Sequence, residues 1–281
     1  MILEEMDCGR PVAVVLSLTE SRPPEPDSPA PGDRLLVGPG GAWGTLGSRD
    51  VDAAARTLAL EAIDAALLEA TRGSHREKGG GLAREGAHRL AIPGRKMELE
   101  VYLELHLPEP QLLIVGAGHI ARPLCTVGSL LDFRVTVLDD RPGFATAERF
   151  PEVSRVEKVD FADPFTDIAV GPSSYVILVT RGHRYDFECL RRLLRLEPGP
   201  GYIGMIGSRR RVRATYVRLQ DEGIPIDRIA EIHAPVGLDL GAETPEEIAV
   251  SVAAELVLLR RGGSGRPLKD VEDVARRLLH D

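Results

Sequence analysis

A glycine-rich segment near the middle of the chain has the residue types and spacing of a phosphate-binding turn. The run GAGHIA at 116–121 follows an apolar stretch and opens a segment of helical character. Gly116 would allow a tight turn, Gly118 would let the backbone approach a phosphate, and Ala121 would let the helix pack closely. The positive end of the helix dipole would face the anion. The segment predicts a nucleotide-type phosphate site; the alternative is a Rossmann-like scaffold without a ligand.

Charged residues follow the next apolar run along the chain. Asp139 comes 21 residues after Gly118, where an acid can accept hydrogen bonds from a ribose. Asp140 and Arg141 come directly after it. Arg141 would either neutralise the two carboxylates or bind a phosphate.

Polar residues also follow the later apolar runs. The segment TRGH occupies 180–183, GSRRR occupies 207–211, and His233, Asp239 and Glu243 follow the last strand-like stretch. In an open α/β sheet ligands bind outside the carboxyl ends of the strands, so these residues are expected at one edge. The residues predicted to line the ligand site are Gly116, Gly118, His119, Asp139, Asp140, Arg141, Thr180, Arg181, Gly182, His183, Gly207, Ser208, Arg209, Arg210 and Glu243.

Two further side-chain groups at this edge allow more than one interpretation. His119, His183 and His233 lack a spacing such as H-x-x-x-H, so hydrogen bonding to a polar ligand is favoured over a metal site. Four arginines, at 209, 210, 211 and 213, crowd the first turn of a predicted helix, where the dipole disfavours cations. A bound anion would relieve that conflict; alternatively the side chains extend into water or towards a partner's carboxylates.

The elements that position these residues predict a doubly wound α/β domain. The apolar runs at 112–115, 135–138, 175–179 and 202–206 are continuous, as in parallel strands covered on both faces. Helices are predicted at 120–131, 144–149, 186–196 and 208–222, from Thr244 to Arg260, and at 269–280. The alternation of strands and helices predicts a Rossmann-like, mainly parallel sheet over 108–262, followed by a tail helix in 263–281.

The first 107 residues predict a smaller α+β domain. Strands are expected at 12–18, 34–37, 42–46 and 97–106, the last with strict apolar and polar alternation, and a helix at 51–70. The proline-rich stretch at 23–31 and the glycines at 79–81 predict loops. Two prolines within 107–110 mark the domain boundary.

Composition narrows the class of protein. The 281 residues include 35 Lys and Arg against 43 Asp and Glu, a net charge of −8, which disfavours nucleic acid and anionic membranes as partners. Cys8, Cys125 and Cys189 are too few and too scattered for a disulfide framework, which fits a cytoplasmic location. Neither a signal peptide at the N-terminus nor an apolar run long enough to span a membrane is expected.

The second part of the chain resembles a known family. The runs QLLIVGAGHIARPL, RVTVLDDRPGFATAERFP, ILVTRGHRYDFECL, YIGMIGSRRRV and IHAPVGLDLGAETPEEIAVSVAAEL resemble, in order, the XdhC/CoxI family of xanthine dehydrogenase accessory factors. The resemblance covers about residues 111–262. It implies a role in maturing molybdenum hydroxylases: holding molybdenum cofactor (molybdopterin), protecting it while a cysteine desulfurase supplies the sulfido ligand, and delivering it to the apo-enzyme. A homodimer is the expected assembly.

The N-terminal part departs from the family pattern. Gly44-Thr45-Leu46-Gly47 resembles the start of the family's G-S-x-G-G-G-C-x-E stretch, but Ser48 and Arg49 follow, and Asp50 stands where the family has cysteine. This segment therefore lacks the cysteine on which a thiol-based role of the domain would depend.

Two other functional classes fit the glycine-rich turn. A dehydrogenase using NAD or NADP would explain Gly116, Gly118 and Asp139, but the N-terminal part has no His-Asp or Tyr-x-x-x-Lys arrangement to move a proton. A nucleotide-sensing regulatory protein is the other alternative. A maturation factor that assists an enzyme, with no catalytic residue of its own assigned, is the favoured interpretation.

Overall fold

A computed structural model describes residues 2–7, 10–18, 29–72, 85–93 and 98–272, which form two sheets with their helices. The first sheet is antiparallel, with five strands in the order β3-β2-β1-β5-β4. Its elements are α1 (Ile2–Asp7), β1 (Val12–Ser17), β2 (Arg34–Gly38), β3 (Gly41–Thr45), α2 (Arg49–Arg72), β4 (Gly86–Ala91) and β5 (Glu98–His106).

The alternating sequence of β5 forms a strand with one buried face, as predicted. Leu99, Val101 and Leu103 are buried, and they pack with Ala55 and Ala59 of α2 in the core of the N-terminal domain. Successive side chains of a strand point to opposite faces, so the intervening residues of β5 lie outside this core.

The second sheet has six parallel strands in the order β11-β10-β9-β6-β7-β8. Chain order reverses between β6 and β9, and such a switch point is where open α/β sheets bind ligands. Its elements are β6 (Gln111–Val115), α3 (Ala121–Leu130), β7 (Arg134–Asp139), β8 (Arg155–Lys158), β9 (Ser174–Leu178), α4 (His183–Leu193), β10 (Tyr202–Met205), α5 (Arg209–Asp221), α6 (Ile226–Ala230), β11 (Ile232–His233), α7 (Pro245–Arg261) and α8 (Leu268–Glu272).

Helices cover both faces of this sheet, which confirms the doubly wound α/β prediction. Residues of α4, α5 and α6 share one core with the sheet, and residues of α3 and α7 share the other. The start of α7 is fixed by a capping box: Thr244 accepts a hydrogen bond from the Glu247 N–H, and the Glu247 carboxylate accepts one from the Thr244 N–H.

Some sequence-based boundaries were wrong. The helix predicted at 144–149 is a series of turns, because its later backbone hydrogen bonds, from Arg149 N–H to Thr146 and from Phe150 N–H to Ala147, join residues three apart instead of four. Strands β4 and β8 were not predicted, and α4 begins three residues earlier than expected and ends at Leu193. Residues 23–28 of the proline-rich loop, the glycines at 79–81 and most of the predicted tail helix lie outside the described residues.

Candidate functional site

The two glycines of the turn after β6 have different surroundings. Gly116 has φ +111°, and a Cβ there would lie 2.6 Å from the carbonyl oxygen of Val179. Only glycine fits where this turn crosses the chain after β9. A Cβ on Gly118 would meet no atom within 4 Å. Gly118 therefore borders open space just before α3, whereas Gly116 is required for packing.

Asp139, at the end of β7, stabilises this turn through hydrogen bonds. Its carboxylate accepts hydrogen bonds from the Ala117 N–H (2.7 Å), the Arg141 N–H (2.9 Å) and the Arg141 guanidinium (2.9 Å to each oxygen). Burial opposes ionisation of this side chain, which is 1% exposed, but these donors outweigh it and lower the Asp139 pKa to about 2. The ribose contact of Asp139 stays a prediction; both carboxylate oxygens already accept hydrogen bonds within the chain.

Replacing Asp139 with asparagine is expected to lower the free energy of unfolding by about 2 kcal/mol at pH 7. The folded pKa of about 2 lies below the ordinary value of 3.8, so the stabilisation is complete above about pH 4. It is lost as the pH falls towards 2, so the difference between the native protein and the variant should narrow over that range. Urea titrations at several pH values measure it, and a difference independent of pH would contradict the assignment.

The next charged pair joins the loops after β7 and β9. Arg181 makes a two-pronged ion pair with Asp140, at 2.5 and 2.7 Å, and hydrogen-bonds the Tyr185 hydroxyl at 2.7 Å. The guanidinium also lies over the Tyr185 ring, 4.3 Å from its centroid. These contacts hold two of the predicted site residues together across the switch point.

A buried ion pair joins α4 to α5 next to these contacts. Asp186 is fully buried, accepts a hydrogen bond from the Thr180 hydroxyl (2.5 Å), and pairs with both Nε (2.7 Å) and Nη2 of Arg211. Arg211 also donates to the Thr180 carbonyl at 3.2 Å. Burial raises the pKa of Asp186, although Thr180 and Arg211 favour its charged form. The network therefore connects the loop after β9, α4 and α5.

Sequence reasoning did not identify Asp186 or separate Arg211 from its arginine neighbours. Asp186 looks like an ordinary acid in the first turn of a helix. The inward position of Arg211 could have been predicted from the sequence. It lies four and eight residues before Thr215 and Leu219, which are buried, and therefore shares their inward helix face.

Four of the other predicted site residues at this edge do not contact the network through their side chains. His119, His183, Arg209 and Arg210 are exposed, and none forms a side-chain hydrogen bond or ion pair with the residues that the structure describes. Arg209 lines a groove with Val212, Arg213 and Ile226 on the outer side of α5. Ser208 caps α5 by accepting a hydrogen bond from the Arg211 N–H, and Gly207 lies against the Arg211 side chain.

The residues predicted after the last strand-like stretch do not form one group. Glu243 is exposed just before α7, and its N–H donates to the Glu247 carboxylate at 2.8 Å. His233 does not join the edge residues: it pairs in register with Gly204 of β10 and contacts Tyr202 and Glu255 instead.

Several kinds of site are absent from the described part of the chain. No group of three or more His, Cys, Asp and Glu side chains there could hold a metal ion. Cys125 and Cys189 are buried, and burial raises the pKa of both thiols. Among the same residues, no helix combines the length and apolarity needed to span a membrane.

Comparison with known proteins gives several similarities. The chain is 31% identical to the uncharacterized protein YqeB of Escherichia coli over 265 residues, 94% of this chain and 46% of that protein. It is 29% identical to a probable xanthine dehydrogenase subunit of Bacillus subtilis over 172 residues, 61% of this chain and 49% of that protein. The chain thus spans about half the length of these curated relatives.

The fold has a counterpart among solved structures, and the sequence matches a family. A crystal structure described as a xanthine dehydrogenase from Bacillus halodurans aligns with a TM-score of 0.56 at 24% identity, over 92% of this chain and 64% of that one. The family model of the XdhC Rossmann domain matches residues 112–256, which contain the glycine turn and the Asp139, Arg181 and Asp186 contacts. The chain belongs to the XdhC Rossmann domain family.

Proposed function

We propose that this protein binds the phosphate-bearing molybdenum cofactor at the glycine turn and delivers it to a molybdenum hydroxylase of the xanthine dehydrogenase type. The observation that carries the proposal is the open space beside Gly118, at the N-terminus of α3 and at the switch point of the sheet. Backbone N–H groups at such a helix end bind phosphate oxygens. The Asp139 contacts keep the turn rigid, so little ordering would be needed on binding.

Exposed cations at the same edge support an anionic ligand. Arg122, Arg184, Arg209 and Arg210 lie in the first two positions of α3, α4 and α5, and none has an ion-pair partner among the described residues. Cations are unfavourable beside helix N-termini, which already carry partial positive charge. A phosphate would relieve this repulsion at each of the helices it reached.

The residues fit the phosphate end of the cofactor better than its metal end. Gly118 and the arginines offer backbone and guanidinium donors to a phosphate, whereas the thiols of Cys125 and Cys189 are buried. Asp50, where the resemblance expects cysteine, lies exposed in the first turn of α2. When bound, the cofactor would supply the molybdenum centre of the hydroxylase; this chain would supply binding and protection, with sulfur coming from a cysteine desulfurase.

NAD or NADP binding is less well supported. A ribose would have to compete for Asp139, whose oxygens accept four hydrogen bonds from Ala117 and Arg141. Asp140, the neighbouring acid, is occupied by Arg181. Opening either pair on binding would leave a charged group without its partner, which costs free energy.

Ligand titrations followed by transfer test the proposal. The protein is titrated with molybdenum cofactor, NAD and NADP by native mass spectrometry, which also reports whether it forms the proposed homodimer. It is then mixed with apo-hydroxylase, and hydroxylase activity is measured with and without a cysteine desulfurase. We expect binding of the cofactor alone and activation of the hydroxylase. Preferential binding of NAD or NADP, or failure to transfer bound cofactor, would overturn the proposal.

Replacing both Arg209 and Arg210 with glutamine is expected to weaken cofactor binding about tenfold and to flatten its dependence on salt. Two partly screened attractions to phosphate would be lost, while stability should change little because both side chains lack partners in the described part of the chain. Fluorescence titration at two salt concentrations measures both effects.

The matched control removes two positive charges from the other edge of the sheet. Arg134 is the first residue of β7 and Arg261 the last residue of α7, so both lie far from the glycine turn along the strand direction. Arg134→Gln combined with Arg261→Gln should leave binding within about twofold of the native protein, because long-range attraction is screened. Normal binding but failed transfer by the Arg209 and Arg210 variant would instead assign these arginines to docking of the hydroxylase.

A further inference from the structure

A cavity lies at the opposite edge of the parallel sheet from the glycine turn. Its volume is about 650 Å³, within the range for small-molecule sites. Pro172, before β9, and Gly201, before β10, line it together with Leu259 near the end of α7. The glycine turn follows the other end of the neighbouring strand β6, so a strand length of roughly 15 Å separates the two places.

One wall carries a histidine whose ring is fixed by a carboxylate. His233 Nδ1 lies 2.6 Å from Glu255 Oε1, which also accepts a hydrogen bond from the Tyr202 hydroxyl at 2.8 Å. The other oxygen of Glu255 accepts one from the Gly237 N–H at 2.5 Å. A carboxylate accepts hydrogen bonds and donates none, so the Nδ1–H of His233 donates to Glu255 and the other ring nitrogen, Nε2, is left for a ligand. In a neutral imidazole with its proton on Nδ1, Nε2 is a hydrogen-bond acceptor.

That acceptor is available to a ligand. His233 is 39% exposed and lines the cavity, and its Nε2 has no partner among the described residues. The His233 ring packs against the Tyr202 ring with their centroids 4.5 Å apart, which fixes its plane. An oriented imidazole with one free nitrogen is the polar group that gives a binding site its specificity.

Arg228 supplies donors to the same cavity. Its guanidinium makes one hydrogen bond, to the Leu194 carbonyl at 3.4 Å, and lies 3.8 Å from carboxylate oxygens of both Glu197 and Glu231. The remaining N–H groups can therefore donate to a ligand, while the two carboxylates offset the positive charge. Such an arrangement favours a neutral acceptor, such as a carbonyl, over an anion.

Part of the cavity lining is apolar. Pro172, Pro198 and Pro200 present proline rings, and Ile203 and Leu259 complete the apolar lining. Proline rings and branched side chains of this kind pack well against a flat molecule. A metal ion is disfavoured, because no set of three suitable ligands occurs among the described residues.

We infer that this cavity binds a neutral, planar ring with a cyclic amide edge, whose N–H donates to His233 Nε2 and whose carbonyl accepts from Arg228. The inference is independent of the cofactor proposal, because the two sites lie at opposite edges of the sheet and share no residue named for either. It assigns binding only, since no reacting group is placed beside the ring.

Uracil and 1,3-dimethyluracil are the probes that test this inference. Both are flat rings with carbonyl groups, but the methylated ring has no N–H to donate. Ligand-observed NMR titrations of the whole chain should show uracil binding at least tenfold more tightly, since one unmade hydrogen bond in a binding site has about that effect. Equal affinities, or no binding of uracil, would overturn the inference.

Variants separate this cavity from the cofactor site. His233→Phe keeps an aromatic ring but removes the acceptor, so it should abolish the preference for uracil; Arg228→Lys, which removes the planar fork, should weaken both probes. Gly118→Val should leave uracil binding unchanged.

Orthophosphate and Zn²⁺ are titrated in parallel, and binding of either that depends on His233 would overturn the assigned ligand class. If His233→Phe does not fold, native uracil affinity in Arg228→Lys would contradict the inference.

Discussion

Gly118→Val is expected to reduce binding of molybdenum cofactor by about 100-fold or more while leaving the domain folded. The valine side chain would fill the open space beside the N-terminus of α3 and keep the phosphate away from the backbone N–H groups. Losing two such charge-assisted hydrogen bonds costs about 3 kcal/mol, which corresponds to that factor. A Cβ at this position meets no atom within 4 Å, so the free energy of unfolding should change by no more than about 1 kcal/mol. Titration with the cofactor and thermal unfolding of the same sample measure both quantities.

The neighbouring glycine provides the matched control. Gly116→Val places a branched side chain at φ +111° and against the Val179 carbonyl, so it should destabilise the domain by about 4 kcal/mol or more. The same substitution two residues apart should therefore affect binding in one case and folding in the other. Unchanged cofactor binding by Gly118→Val would mean that the phosphate does not bind at this turn. Unfolding of Gly118→Val would mean that the surroundings of Gly118 are not open.

The sequence predicted the parallel sheet well because buried parallel strands have a distinctive composition. The runs at 112–115, 135–138, 175–179 and 202–206 all became strands, since continuous apolar sequence is compatible only with burial on both faces. Strand β8 lacked this signal: Arg155–Lys158 is charged at both ends and lies at the sheet edge. The strand β8 forms because it pairs with β7, and the local sequence does not specify that partner.

The sequence predicted where these polar residues lie in the sheet but not which residues they contact. Topology brings the ends of β6, β7, β9 and β10 to one edge, so residues 116–118, 139–141, 180–183 and 207–208 were correctly grouped there. Which side chains bind one another depends on rotamers and on distances across strands. Asp139 could thus be placed at the end of β7 from the sequence, whereas its hydrogen bond to the Ala117 N–H could not.

Asp186→Ala is expected to lower the free energy of unfolding by about 3 kcal/mol, the largest effect on stability among the charged residues considered. The carboxylate is fully buried and holds the Arg211 guanidinium, so its removal would leave a mostly buried cation without a counter-ion. The Thr180 hydroxyl would also lose its acceptor. Urea unfolding followed by circular dichroism measures the change.

A double-mutant cycle distinguishes the ion pair from simple loss of packing. If Asp186 and Arg211 stabilise the fold through each other, Asp186→Ala together with Arg211→Ala should cost about 2 kcal/mol less than the sum of the single changes, because the double variant buries no unpaired charge. Arg155 and Glu157 form an ion pair of similar length, 2.8 Å, but are 47% and 39% exposed, so their coupling should stay below about 1 kcal/mol. Additive effects at Asp186 and Arg211 would mean that the carboxylate contributes through packing and the Thr180 hydrogen bond alone. Asp186 would then hold the loop after β9 to α4 through Thr180, and the Arg211 hydrogen bond to the Thr180 carbonyl would stabilise the loop separately.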